Sequence, residues 1–279
     1  MTADSLLVQF AGNAVRFNSD DLEILKSLTI HFKNCIGADL PVVANYEVSA
    51  DAGDNFSARM GSADLFSNCD FESALRQLMQ DALLRLNGAS KTELIFHAAA
   101  LAHQGQAVIL CGKTASGKSS LAAWLTALGM AYMTDEVISL PMGSESVNGF
   151  CRSIVLKPGS SFIWKRWLKN QDAEGFLRFA DNSVWIEPSL LNPDGTKATA
   201  APRLIIFPRY EPDAAFRIER LTRAETLFRL LQHLVNARNF PDYGMDAASH
   251  LARRVNAYTL TYSNIETASA WIQKTIQQG

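Results

Sequence analysis

Neither sign of charge predominates in this chain of 279 residues: 26 Lys and Arg stand against 28 Asp and Glu, a formal net charge of −2. A protein that grips nucleic acid without sequence preference carries a basic field, and none is present, so nucleic acid is not an expected partner. Cysteine is scarce and scattered. Cys35, Cys69, Cys111 and Cys151 lack the CxxC spacing of a zinc or redox centre, which leaves reduced packing residues as the expectation. No apolar run approaches the roughly 18 residues of a membrane span. The opening MTADSLLVQF lacks the cationic and apolar regions of an export signal. A cytoplasmic protein with no membrane partner is expected. Low-complexity tracts are missing too, and 48% hydrophobic with 19% charged residues suits a globular protein with a buried core.

What is present divides near residue 90, into an N-terminal domain of 1–90 and a larger one of 91–279. In the first, LLVQFAGNAVRFN reads as a strand or hairpin. SDDLEILKSLTIHF follows, with Ser19 where an N-cap belongs and Leu22, Leu25, Leu28 and Phe32 at helical spacing. Residues 50–68 read as polar and turn-rich. FESALRQLMQDALLRL then places Leu75, Leu78, Met79, Ala82, Leu83 and Leu86 on one helical face, with Asn87 and Gly88 as its stop. No cluster of chemically active residues stands here. A small α+β accessory or substrate-docking domain is expected, or a structural one.

From Lys91 the pattern becomes alternating strand and helix. KTELIFHAAALA and AVILC read as buried strands leading into Gly112, Lys113, Thr114, Ala115, Ser116, Gly117, Lys118 and Ser119, a full match to G-x-x-x-x-G-K-[ST]. The two glycines let the backbone turn tightly enough for its N–H groups to surround phosphate oxygens, and the helix that begins near Ser120 offers its positive end to the same anion. Lys118 adds a point charge near the outer phosphates, and the Ser119 hydroxyl suits magnesium. SSLAAWLTAL carries Leu121, Trp124, Leu125 and Leu128 on one face, and Gly129 ends it.

Two acids follow. Asp135 lies 17 residues after Lys118 at the end of an apolar run in MAYMTDEVISL, where the carboxyl end of a strand would bring it to the loop. Successive strand side chains face opposite ways, so Asp135 and Glu136 share a task only if the strand stops there. Arg152, Arg203 and Arg209 sit at the edges of apparent strands and are candidates to hold a transferring phosphate, Arg152 first. LTRAETLFRLLQHL, with a capping box in Thr222 and Glu225, and IETASAWIQKTI, with Trp271 packing it onto the body, read as scaffold helices.

The stretch from Glu93 to Leu140 resembles the catalytic core of bacterial HPr kinase/phosphorylase. It resembles more closely the smaller HPr kinase-related proteins, some of which phosphorylate serine on ribosomal peptides such as lasso-peptide precursors. That pattern is a strand histidine, a glycine loop ending in Gly-Lys-Ser, a short helix and an acid pair; His97 stands 21 residues before Lys118, as the pattern requires. RLIIFPRYEP, from Arg203 to Pro212, resembles the relatives more loosely. Two departures stand out: Glu136 replaces an aspartate, and Ala115 replaces a glycine, which suits a backbone position of negative φ. No signature of phosphorolysis is evident, Arg152 being the sole candidate.

The resemblance implies an α/β fold with a P-loop core of the HPr kinase/PEP carboxykinase type, a mixed sheet, and possible homo-oligomers. It implies ATP and Mg2+, with Asp135 as base, His97 beside it, Arg152 on the phosphate, and Ser119 with Glu136 on the metal. The acceptor would be a serine of a peptide or small protein. A small-metabolite P-loop kinase and a nucleotide-dependent regulator without transfer activity are the alternatives. More than 100 residues precede the loop and the β-like VNGFCRSIVLKP follows the acids, an order that disfavours the metabolite kinases.

Overall fold

The computed structural model describes residues 4–37, 40–51, 53–168, 170–171 and 173–278. The chain forms two compact units, Met1–Thr92 and Glu93–Gly279.

In the first unit β1 (Asp4–Phe10) and β2 (Asn13–Ser19) pair antiparallel, α1 (Leu22–His31) crosses over, and β3 (Val42–Ala50) returns parallel to β2. The hairpin β4 (Asn55–Met60) and β5 (Ala63–Asp70) completes a five-stranded sheet, and α2 (Phe71–Ala89) packs on it. That hairpin occupies the stretch read as turn-rich. Phe56 and Ala58 are buried while the residues between and after them face outward. The polar outward face masks the period of two by which a strand is recognised.

Ser19 is not a helix cap. It ends β2, its hydroxyl donates to the Val48 carbonyl at 2.9 Å, and Asp21 caps α1 instead by accepting from the backbone N–H groups of Glu23 and Ile24. The buried face of α1 is Ile24, Leu25, Leu28 and His31, so Leu22 is exposed. Asn87 and Gly88 do not stop α2, which runs through them to Ala89.

The second unit opens with β6 (Glu93–His103), β7 (Gln106–Cys111), α3 (Lys118–Ala127), β8 (Ala131–Thr134), β9 (Val137–Pro141), β10 (Val147–Gly149) and β11 (Ile154–Leu156). It continues with α4 (Ser161–Trp167), β12 (Phe176–Arg178), β13 (Val184–Ile186), β14 (Thr199–Tyr210), β15 (Arg217–Arg220), α5 (Arg223–Leu231), α6 (Met245–Arg254), β16 (Asn256–Tyr262) and α7 (Ile265–Gln278). Among the described residues these strands make an eight-stranded sheet ordered β10-β9-β6-β7-β14-β16-β15, with β8 beside β6, and a small sheet ordered β11-β13-β12.

The main sheet is mixed. β6 and β7, the two strands read before the glycine loop, form an antiparallel hairpin because Gln104 and Gly105 both adopt positive φ (49° and 81°) and close a tight turn. β7, β14 and β16 run parallel. One face of this sheet, with Ala98, Ala100, Ile109 and Ile205, is covered by Leu230 of α5 and Leu251 of α6. The capping box of Thr222 and Glu225 forms as expected, and Trp271 packs edge-on against Tyr258 of β16 with centroids 5.2 Å apart. Among the described residues the four cysteines form no disulfide.

Candidate active site

β7 ends at Cys111 and the chain turns through Gly112–Gly117 into α3. A Cβ on Gly112 would come within 2.5 Å of the Ser116 hydroxyl, and one on Gly117 would run into the Tyr262 hydroxyl, so the loop is closely packed at both glycines. Gly117 has φ +94°. Ala115, expected at negative φ, has φ +66°. An L-residue is held in the left-handed region here at a cost of roughly 1–2 kcal/mol. Alternation of left-handed with ordinary conformations turns successive N–H groups toward one concavity, the geometry of an anion nest.

Gly117 caps α3 without any side-chain hydrogen bond, so the helix start stays open toward that concavity. The buried Ser116 hydroxyl has no partner among the described residues. The Lys118 ammonium donates to the carbonyls of Gly112 at 2.5 Å and Lys113 at 3.2 Å, folded back over the loop. Burial pushes Lys118 below the ordinary lysine range, with Glu136 and Asp135 among the groups opposing that shift. Ser120 shares a hydrogen bond with Ser160 at 2.7 Å, which turns its hydroxyl toward the segment preceding α4.

The acids sit where the strand breaks. β8 stops at Thr134, whose hydroxyl accepts from the N–H of Glu136 at 3.0 Å and of Val137 at 3.3 Å, and β9 starts afresh. This bend sends the two side chains to one neighbourhood. Asp135 is 2% exposed and takes the Tyr132 hydroxyl at 3.0 Å on one oxygen and the Val155 N–H at 3.1 Å on the other. Burial pushes its carboxyl above the usual range, against the pull of Arg152.

Glu136, with 29% of its side chain exposed, pairs with Arg152 at 2.7 Å and with His97 at 3.4 Å. His97 thus stands beside Glu136, not beside Asp135 as expected, because the backbone N–H of Ala98 donates to the Glu136 carbonyl and ties that residue to β6. Burial lowers the His97 pKa, with Glu136 opposing it.

Arg152 departs most from its strand-edge reading. It is 3% exposed, lies behind the acids at 3.4 Å from Asp135, donates to the Ser153 carbonyl at 2.9 Å, and is absent from the cleft wall. Burial works against its charge, but Asp135 and then Glu136 outweigh that and hold the guanidinium protonated. Arg209 is exposed at the end of β14, and Arg203 lines a different cavity.

Lys113–Ser120, His97, Asp135 and Glu136 line one cleft of about 760 Å³, within the range of small-ligand sites. Its apolar wall of Trp124, Phe162, Tyr210 and Tyr262 was not anticipated as part of a site. Trp124 reads in sequence as a core residue, and the tyrosines come from strands whose proximity depends on the sheet order. Tyr132, three residues before Asp135, was missed as well. Arg166 stacks over Trp124 at 4.9 Å and pairs with Glu266 at 2.6 Å.

The Ser119 hydroxyl and the Glu136 carboxylate are hard oxygen donors on this wall. They fit Mg2+, which takes one or two protein oxygens and completes its shell with water and phosphate. No three His, Cys, Asp or Glu side chains gather into a protein metal cage among the described residues. Chemically, the cleft can hold a phosphate chain at the loop and present carboxylates to what lies beyond it.

The fold and cleft define a mixed α/β protein with a strand–glycine loop–helix unit and an acid pair at its open end. A solved Hpr(Ser) kinase/phosphatase from Coxiella burnetii aligns over 66% of this chain and 97% of its own length, at 14% identity and a TM-score of 0.34. That overlap is too loose to establish a shared fold. No family model and no curated protein matches the chain. Among the described residues no helix is long and apolar enough to cross a membrane.

Proposed function

We propose that the second unit is an ATP- and Mg2+-dependent phosphotransferase that phosphorylates a hydroxyl, most specifically a serine of a peptide or small protein. The observation that carries this reading is the meeting of the open helix start and Lys118 with a carboxylate pair in a single cleft. Phosphoryl transfer requires positioning and charge neutralisation, plus one group to take the acceptor's proton. The loop N–H groups and Lys118 hold the phosphates. The acceptor oxygen attacks the γ-phosphorus, the bond to the β–γ bridging oxygen breaks, and the acceptor proton passes to Asp135. A carboxyl raised by burial holds that proton more readily than an ordinary aspartate. The Ser119 hydroxyl and the Glu136 carboxylate would hold Mg2+, which would supply neutralisation of phosphate charge when bound. His97 and Arg152 fix Glu136 from two sides, as positioning residues.

A second reading, a nucleotide-dependent regulator without transfer, is favoured by the engagement of both Asp135 oxygens and by its near-complete burial. Two measurements separate the readings. MgATP raises the melting temperature of the wild type, and Lys118→Ala removes that rise; a melting curve indifferent to MgATP defeats both. Asp135→Asn leaves MgATP affinity within a few-fold and lowers phosphorylation of an acceptor peptide by roughly 10²–10⁴-fold. Transfer at the wild-type rate in that variant rejects Asp135 as the base. Wild-type protein that binds MgATP but adds no phosphate to any peptide in a serine-containing library, by mass, rejects the peptide acceptor and leaves the regulator or a small-metabolite acceptor.

A further inference from the structure

We infer that the second unit carries another anion site, for the phosphate or diphosphate group of a small molecule, at the end of the sheet opposite the cleft. A cavity of about 220 Å³ there is lined by five arginines: Arg203 of β14, Arg220 of β15, Arg223 of α5, and Arg253 and Arg254 of α6. None of its lining residues is acidic. Among the described residues Arg254 alone of the five has a carboxylate partner, Glu145 at 2.5 Å, and Arg220 donates to Asn256 at 3.2 Å. The buried Nε of Arg203 has no hydrogen-bond partner among the described residues.

Helix chemistry accounts for only part of this. Cations in the last turn of α6 are favourable at its negative end, which explains Arg253 and Arg254. It does not explain why three other elements turn arginines to the same hollow. Like charges gathered around one hollow repel one another, and a bound anion relieves that repulsion and offers a counter-charge to Arg203. Planar guanidinium groups suit the paired oxygens of a phosphate. The volume admits a phosphate or diphosphate group.

The site is separate from the cleft. Arg203 and Tyr210, which lines the cleft, are seven residues apart on β14, about 23 Å at the rise of an extended strand. The inference therefore stands whether or not the cleft transfers phosphate.

Inorganic pyrophosphate is the probe, titrated calorimetrically into the whole protein. Because the glycine loop can also bind it, Lys118→Ala is the reference, and that variant retains one pyrophosphate site. Added to that background, Arg203→Gln weakens the remaining site roughly tenfold or more, and Arg253→Gln, an exposed change at a helix end, several-fold. Unliganded melting curves control for folding, and the Arg253 variant keeps the test valid if Arg203→Gln unfolds. Loss of all binding in Lys118→Ala alone overturns the inference. So does residual binding that neither arginine substitution alters.

Discussion

At the carboxyl ends of β7 and β14, Arg152 is buried with Asp135 at 3.4 Å and Glu136 at 2.7 Å, whereas near the amino ends of β14 and β16 Arg203, Arg223 and Arg253 stand around a cavity without carboxylates. The first arrangement is closed. Two acids share one guanidinium inside the protein, which orients both of them at the cleft. The second is open, and its counter-charge must come from outside. A desolvated guanidinium requires protein carboxylates, while those in contact with water are solvated until an anion arrives.

The largest expected effect comes from breaking the closed end. Arg152→Leu leaves two carboxylates without their cation, and urea unfolding should show a loss of about 3–5 kcal/mol. Asp135, already raised by burial, would rise further and be folded best when protonated. Its folded pKa lies above its unfolded one, so its contribution to stability is present at low pH and lost as pH rises through the folded value. The loss in Arg152→Leu should therefore be greater at alkaline than at mildly acidic pH. An equal loss at both, or none, would mean that Arg152 does not neutralise the pair.

A smaller effect involves the cations around the loop. Burial, then Lys118, His97 and Lys113, pushes His233 down to about 4. Between that value and the unfolded 6.5 the unfolded chain binds the extra proton, so stability falls as pH drops through this window. His233→Gln should narrow the gap between urea midpoints measured near the two ends of that window. A gap of unchanged width would assign the dependence elsewhere, His97 first.

The smallest effect sharpens the loop itself. Ala115→Gly relieves the positive φ of 66° but gives the unfolded chain more freedom, a net gain of about 0.5–1 kcal/mol. A thermal shift of a few degrees upward checks it. A lower melting temperature would mean that the alanine methyl is held by its surroundings.

The candidate site was partly legible in the sequence because part of it is local. The loop, the helix after it and the spacing to Asp135 lie within one strand–loop–helix–strand segment, and local turn chemistry specifies such segments without help from the rest of the chain. His97 was legible only through its spacing to that segment. Which acid it meets depends on the antiparallel register of β6 with β9, where His97 faces Val137, and no spacing encodes that. Arg152 reads as a strand-edge arginine able to reach a phosphate, and arginine is seldom fully buried. Its burial follows from the two acids converging at a bend that Thr134 makes by accepting two backbone N–H groups.

By itself, then, the sequence determined the secondary elements of strong period, the glycine loop with its lysine and serine, and the closeness of an acid pair to them. Tertiary structure decided the sign of φ at Ala115, the partner of each acid, the aromatic wall of the cleft, and the gathering of arginines from β14, β15, α5 and α6 at the far end. The reason is the range of the forces involved. Turn sterics and periodicity act over a few residues, whereas desolvation and ion pairing depend on which distant segments fill the space around a charge.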